Sequence, residues 1–231
     1  MKGEMNRSLA RSIIYTSLSG LYAYPGEEVC AWAAGGGWLK PLTEALGSLI
    51  EDGFVDCLHD LDEALAGKGE NTLQELRREY ARLFIDGFPR ELTPSRASAY
   101  MAKEEPVSEK TAADILAFYR GRGFAFEEGG GDFPDHIAQE MRFMGILAER
   151  AAQAAGHEKI DLEEDQMVFF SRFVLPWVPL FCIRLMEQTR SSFYRSAAAL
   201  TRGFVAFEKN YLGVPEEDNT LYANDEEGLG A

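Results

Sequence analysis

The segment Asp132-Phe133-Pro134-Asp135-His136-Ile137-Ala138-Gln139-Glu140 gathers the residue types best suited to chemistry in this 231-residue chain. It follows Gly129-Gly130-Gly131 and opens the most regular amphipathic helical pattern in the sequence. Proline suits the first helical position, where its missing N–H costs nothing. The spacing therefore predicts a helix starting at or near Pro134, with Asp132 or Phe133 just outside it. Asp135 then falls in the first turn, where the positive end of the helix dipole favours a carboxylate. His136 and Glu140 are four apart and share a face. The expected result is a compact acidic and imidazole surface beside a flexible strip of backbone, a place to hold a ligand.

What chemistry could such a surface do? His136 and Glu140 at i, i+4 are the beginning of a metal site, and a metal-dependent hydrolase using Asp135, His136 and Glu140 is the enzymatic alternative. That chemistry needs three or four ligands, usually with further histidines. His59 and His157 carry no matching motif. No GxSxG elbow is present, and the glycine runs at 35–37 and 129–131 lack the Lys-Ser/Thr of a phosphate loop. The sequence reads as a binding protein rather than an enzyme, with no metal and no cofactor. A generic helical adaptor is the second alternative. Plain structural roles also compete: Asp135 and His136 could simply shape a helix start, and Tyr80, Leu83 and Phe84 have the spacing of core positions.

The elements that must position these residues are helical almost throughout, because apolar spacings of three and four dominate. A first helix is expected from Asn6 to Tyr22, stopped by Tyr24-Pro25-Gly26. Others are expected over Glu27–Ala33, Leu39–Ile50, Val55–Ala66 and Thr72–Ile85. Residues 86–106, with Pro89, Pro94 and Pro106, read as a long connection of little regular structure. Ser108 caps a helix running to Tyr119. Ile137, Met141, Met144, Ala148 and Ala151 recur at steps of four and three, one buried seam ending near Gly156. Asp161 caps the next helix, Pro176 and Pro179 bracket Trp177 before Leu180–Gln188, and a last long helix spans Ser191 to Tyr211. The fold class is all-α: an all-helical domain 1–213 of two lobes, about 1–120 and 133–213, joined by a glycine-rich hinge at 121–132. The acidic segment 214–231 reads as a disordered tail.

Composition narrows the partners. Hydrophobic residues make up 46% of the chain, enough for a real core, and 15 Phe, 9 Tyr and 3 Trp make it aromatic. A net charge of −15 argues against nucleic acid and for a basic partner. Cys30, Cys57 and Cys182 form no local framework and read as reduced core residues. Ser12, Thr16, Ser17 and Ser19 interrupt any secretory apolar run. No window reaches the roughly 18 apolar residues of a membrane span. A cytoplasmic location without stable membrane insertion is expected.

Together these segments resemble the TorD/DmsD/NarJ-type family of redox-enzyme maturation chaperones. Leu18, Leu21, Tyr22, Tyr24 and Pro25 match the family's early helix end. Glu79-Tyr80-Ala81-Arg82-Leu83-Phe84 matches its aromatic-x-x-Leu-Phe element. Pro134-Asp135-His136, followed by Glu140, Phe143 and Met144, matches its Pro-Asp-His helix opening, and Phe170, Trp177, Phe181, Phe193, Tyr194 and Leu200 follow its C-terminal layout. In the middle connection Thr93-Pro94-Ser95-Arg96-Ala97-Ser98-Ala99-Tyr100 stands where the family carries a Pro-Tyr-Glu-Ser-like run. Asp132-Phe133 stands where a glutamate often precedes the Pro-Asp-His opening.

The resemblance implies an all-helical chaperone that binds the twin-arginine (Tat) signal peptide and apo-enzyme of a molybdenum or tungsten oxidoreductase. It would assist molybdopterin cofactor insertion and prevent premature export. The expected peptide site has Asp135, with Glu140 and Asp132, facing guanidinium groups, His136 orienting the carboxylates or contacting peptide backbone, Pro134 at the same turn, Tyr80, Leu83 and Phe84 lining an adjoining apolar trough, and Tyr100 on the long connection beside it. A monomer or a domain-swapped dimer is implied, and the client enzyme stays open. A guanine nucleotide, bound by some relatives, has no phosphate-cradling motif here.

Overall fold

The computed structural model describes residues 5–26, 39–50, 54–65, 69–86, 91–101, 107–126 and 133–215. Among these residues the protein is all-α, as its apolar periods predict, and no strand is present beyond one isolated β-bridge. In chain order the helices are α1 (Arg7–Tyr22), α2 (Leu39–Leu49), α3 (Val55–Leu65), α4 (Gly69–Phe84), α5 (Ser98–Met101), α6 (Val107–Gly121), α7 (Ile137–Gln153), α8 (Gly156–Phe169), α9 (Val178–Gln188) and α10 (Ser192–Tyr211). A π-helical turn, Phe170–Val174, continues α8.

The first helix shows how local chemistry sets an element. The Asn6 carboxamide accepts from the Ser8 and Leu9 N–H groups at 2.9 and 3.4 Å, satisfying two donors that a helix start leaves free. Ala10, Ile14, Leu18 and Leu21 then form a buried face, and the helix closes just before the Tyr24-Pro25 turn. That face packs chiefly along α7. There Gly145 permits the close approach: a Cβ on it would lie 3.0 Å from the Thr16 hydroxyl oxygen. The seam expected on α7, Ile137, Met141, Met144, Ala148 and Ala151, is buried throughout.

Several boundaries depart from the sequence expectation. Pro134 is not the first helical residue, because α7 starts at Ile137 with His136 as its cap. His136 is held extended instead, bridged to Arg96: Ala97 N–H donates to the Asp135 carbonyl and Ile137 N–H to the Ser95 carbonyl, both at 2.9 Å. His136 cannot take part in that bridge and be helical at once. The same pairing, with the one-turn helix α5, orders the described part of the 86–106 connection. Ser108 lies inside α6 rather than capping it. Asp161 lies inside α8, which begins at Gly156 in a left-handed conformation (φ +62°). The wide turn after Phe169, where Leu175 N–H reaches the Phe170 carbonyl at 2.8 Å, had no sequence signal. It ends before Pro176, which has no N–H to continue any ladder.

The expected helix Glu27–Ala33, Cys30, the Gly129–Gly131 run, Asp132, the 127–132 part of the hinge and the tail from Glu216 onward lie outside the described residues. One buried cluster draws residues from both expected lobes, from Ala10 on α1 to Val205 on α10. No single described helix is long and apolar enough to cross a membrane.

The two chain ends of this core are tied by a buried ion pair. Arg11 on α1 donates from Nε and Nη2 to the two oxygens of Glu208 on α10 at 2.7 and 2.6 Å. The Tyr15 hydroxyl adds a third donor at 2.7 Å, and the guanidinium lies 4.4 Å from the Tyr211 ring centre. Neither charged side chain is exposed. Removing one partner from such a pair strands the other charge in a low-dielectric interior. Glu208→Ala is expected to lower unfolding free energy by about 3–5 kcal/mol in urea titrations. The double replacement Arg11→Met with Glu208→Leu should recover most of that loss. An unchanged urea midpoint for the single variant would show that the pair does not hold the helices together.

Candidate functional site

The residues singled out by sequence converge on the start of α7, but facing inward. Asp135 is 1% exposed and Glu140 is fully buried, so the expected acidic surface is an acidic interior. Asp135 Oδ2 accepts from the Ser98 N–H at 3.1 Å, which satisfies the first donor of α5. Glu140 Oε2 accepts from the Trp177 indole N–H at 3.1 Å. The other oxygen of each carboxyl, Asp135 Oδ1 and Glu140 Oε1, is buried with no hydrogen-bond partner. Burial, reinforced by the negative charge of Asp135, pushes the Glu140 carboxyl well above the usual carboxylate range, against the opposing indole bond.

His136 has a capping role. Its Nδ1 accepts from the Ala138 N–H at 3.2 Å, which places the ring hydrogen on Nε2. Pro134, half-buried in the turn before it, gives its carbonyl to the Tyr119 hydroxyl at 2.9 Å. Burial raises Tyr119 far above an ordinary tyrosine, with Glu140 and Asp135 adding to the effect. Just outside, Phe133 is half exposed and carries the Arg96 guanidinium 4.3 Å from its ring centre.

The apolar trough expected from Tyr80, Leu83 and Phe84 is not an open one. Leu83 is fully buried, and Phe84 and Tyr80 are 5% and 8% exposed. These residues belong to an aromatic string that reaches the acidic pair: Tyr24 to Tyr80 (5.4 Å between ring centres), Tyr80 to Phe84 (4.9 Å), Phe84 to Phe181 (6.3 Å) and Phe181 to Trp177 (5.6 Å). Tyr100 lies on the same string, 5.3 Å from Trp177, under the Arg184 guanidinium. Its hydroxyl is buried without a partner. The apolar surface near this string is supplied by Tyr24, Ile85, Leu92 and Phe133, each 40–57% exposed.

Trp177, Tyr119 and Ser98 were not expected at the site. Trp177 carried the one legible signal, since a tryptophan buried in a helical core needs an acceptor for its N–H. The hydrolase alternative has no ligand set: among the described residues no three of His, Cys, Asp and Glu lie close enough to hold a metal.

Beside the string, Glu79 fixes α4 against the turn between α9 and α10. It accepts from Arg82 Nε and Nη2 at 2.8 and 2.7 Å, from the Thr189 hydroxyl at 3.0 Å and from the Arg190 N–H at 2.7 Å. Arg82 also donates to the Gln188 carbonyl at 2.7 Å. A depression of about 280 Å³ opens alongside, lined by Thr72, Leu76, Glu79, Arg190 and Phe193 among others.

Residues 50–183 match the nitrate reductase delta subunit family. The chain is 25% identical to the chaperone protein TorD of Photobacterium profundum, over 90% of each sequence. It is 26% identical to the chaperone protein TorD of Vibrio atlanticus, over 87% of this chain and 94% of that one. It is 22% identical to the perchlorate reductase assembly chaperone protein of Dechloromonas aromatica, over 87% and 89%.

The Glu79 cluster makes the acid limb of stability testable. Burial works against ionisation, but the hydrogen bonds from Arg82, the Arg190 N–H and Thr189 outweigh it and lower Glu79 from 4.5 to about 2. A depressed carboxylate contributes stability that is complete above its unfolded value and lost as pH falls through the folded one. Glu79→Gln should therefore be less stable than the parent by about 1–2 kcal/mol at pH 6, with solvent at the rim screening part of the gain. The difference should close between pH 4.5 and 2, as read from Tm by circular dichroism. Parallel Tm profiles would remove Glu79 from this role.

Proposed function

The chain belongs to the nitrate reductase delta subunit family, and from that membership we propose that it is a cytoplasmic chaperone of molybdoenzyme maturation, not an enzyme. It binds the twin-arginine signal peptide and apo-form of a molybdopterin-containing oxidoreductase, supports cofactor insertion and holds back export until the client is complete. The TorD and perchlorate reductase assembly chaperone relatives, aligned over most of this chain, support that reading.

One observation carries the peptide part: two buried carboxyl oxygens, Asp135 Oδ1 and Glu140 Oε1, lack any donor. A guanidinium supplies five N–H donors in a planar fork and a matching charge. The leader's basic stretch enters where Phe133 and Arg96 flank the Pro134-Asp135 turn, and the turn opens by releasing the bonds to Ser95, Ala97 and Ser98. Its apolar stretch lies along Tyr24, Ile85 and Leu92, backed by Tyr80, Leu83 and Phe84. His136, at the cap, and Tyr100, against Trp177, complete the site.

Asp135→Asn is the cleaner test than Asp135→Ala, because the amide oxygen still accepts from Ser98 while the charge is gone. It should weaken calorimetric affinity for a synthetic Arg-Arg leader by about 2–5 kcal/mol, the range for truncating a desolvated charge pair, with an unchanged helical circular dichroism spectrum. Replacing Arg-Arg by Lys-Lys in the peptide should also weaken binding. Equal affinity for parent and Asp135→Asn removes Asp135 from the site.

A further inference from the structure

At a helix start, the residue before the cap and the fourth helical residue lie against one another, and two apolar side chains usually staple there. In α7 those two positions, on either side of the His136 cap, hold Asp135 and Glu140. Each is buried, each has one oxygen satisfied by a neutral N–H, and each has one oxygen with no partner. Among the described residues no ion pair reaches either carboxyl.

Among the described residues, the contacts of the groups packed around them place no cation on either carboxyl. From α6 comes Tyr119, whose hydroxyl is committed to the Pro134 carbonyl. From beyond the π turn comes the Trp177 indole, and from α5 comes Tyr100 against that indole. Helix α1, packed on α7, directs its buried Arg11 and Tyr15 to Glu208. Helix α8 pairs Asp165 with Arg122. The Arg96 guanidinium next to the turn lies over Phe133.

We propose that Asp135 and Glu140 hold one proton between them, Glu140 Oε1–H donating to Asp135 Oδ1, and that this proton is a pH-sensitive latch on the site. A single hydrogen then satisfies both orphaned oxygens and halves the buried charge. Two neighbouring carboxylates in a dry interior do not both ionise without a cation to compensate them. The upward displacement of Glu140 by burial and by Asp135 agrees. As a latch the pair rests on the peptide-binding reading; as a proton pair it does not. When a guanidinium enters, the Glu140 O–H bond breaks, its proton leaves to solvent, and the guanidinium takes the place between the two oxygens. Capture of one cation therefore releases one proton, and affinity rises with pH.

The full-length chain tests both halves. Glu140→Gln mimics the protonated acid: its amide accepts from Trp177 and donates to Asp135, so the variant folds. Infrared difference spectra of parent against Glu140→Gln at pH 7 should show an un-ionised carboxyl stretch in the parent. An acid raised by folding contributes stability that is present below its unfolded value, near 4.5, and lost as pH rises toward its folded value. The two Tm profiles should coincide near pH 4.5 and separate above it, the Gln variant gaining about 3–5 °C per pH unit. Absence of the band, or parallel Tm profiles from pH 4.5 to 8, overturns the pair. Calorimetry of an Arg-Arg leader in buffers of different ionisation enthalpy should report about one proton released per peptide by the parent and none by Glu140→Gln. Binding by the parent without release overturns the latch. No binding, with the carboxyl band present, overturns the peptide-binding reading and leaves the pair established.

Discussion

A carboxyl group with no route to water constrains this molecule more than any other feature, and the Trp177 indole is what meets it. Moving an ionised carboxylate into a protein interior costs several kcal/mol even after relaxation, unless it is paired or neutralised. Glu140 is fully buried in the seam where α7 meets the rest of the core, and the indole N–H donates to it there. Reaching that position demands an unusual path from the chain after α8. The helix widens into a π turn at Phe170–Val174, stops at Pro176, and restarts at Val178, so that Trp177 points inward between two helices. On the opposite side Asp135 accepts from Ser98, and the Arg96 bridge holds His136 extended and delays the start of α7. The irregular features at this junction gather around two acidic side chains that face the core.

That junction is continuous with the aromatic layer carrying Tyr80 and Phe84. Rings from Tyr24 to Trp177 follow one another at centre-to-centre distances of 4.9–6.3 Å, drawn from α4, α9 and the turns flanking them. Close-packed interiors give little room for one ring to move without its neighbours. The Glu79 cluster holds α4 against the same C-terminal segment, through Thr189, Arg190 and the Gln188 carbonyl. The aromatic string and the acidic pair are therefore parts of one packed body. The residues joined this way come from both the 1–120 and 133–213 stretches of sequence, as does the Arg11–Glu208 pair at the other end of α1.

Much of this was legible in the chain alone, and the exceptions share a cause. Helical periods located nine of the ten described helices, and Asn6 and the Tyr24-Pro25 turn marked boundaries through local chemistry. The start of α7 was misplaced because it is decided by partners 37 residues away, where Ser98 meets Asp135. No local signal carries that information. Ser108 and Asp161 are good caps by type, yet a helix tolerates either inside its first turns, and in α8 the positive-φ residue Gly156 begins the helix earlier. Burial of Glu140 was open to a closer reading: it stands three residues from Ile137 and four from Met144, on the apolar seam itself. An acid on a buried stripe asks for a partner, and Trp177 was available in the chain.

The two scales of negative charge in this protein have different physical consequences. A net charge of −15 creates a long-range field that attracts a basic segment from a distance, raises encounter rates and is screened within about 10 Å at 0.1 M salt. Asp135 and Glu140 contribute little to that field when one proton is held between them behind Phe133 and the 95–98 segment. In the proposed binding mode their effect begins after encounter, when the turn opens and a desolvated guanidinium bonds both carboxyls in a low-dielectric pocket that salt barely screens. On that reading surface acidity acts on arrival and the interior pair on retention. A lysine ammonium is steered as well as an arginine by the outer field, but its compact charge lacks the planar fork that two separated oxygens can share. On the proposed reading, discrimination for arginine belongs to the buried pair, where geometry decides, and not to the acidic surface, where only charge does.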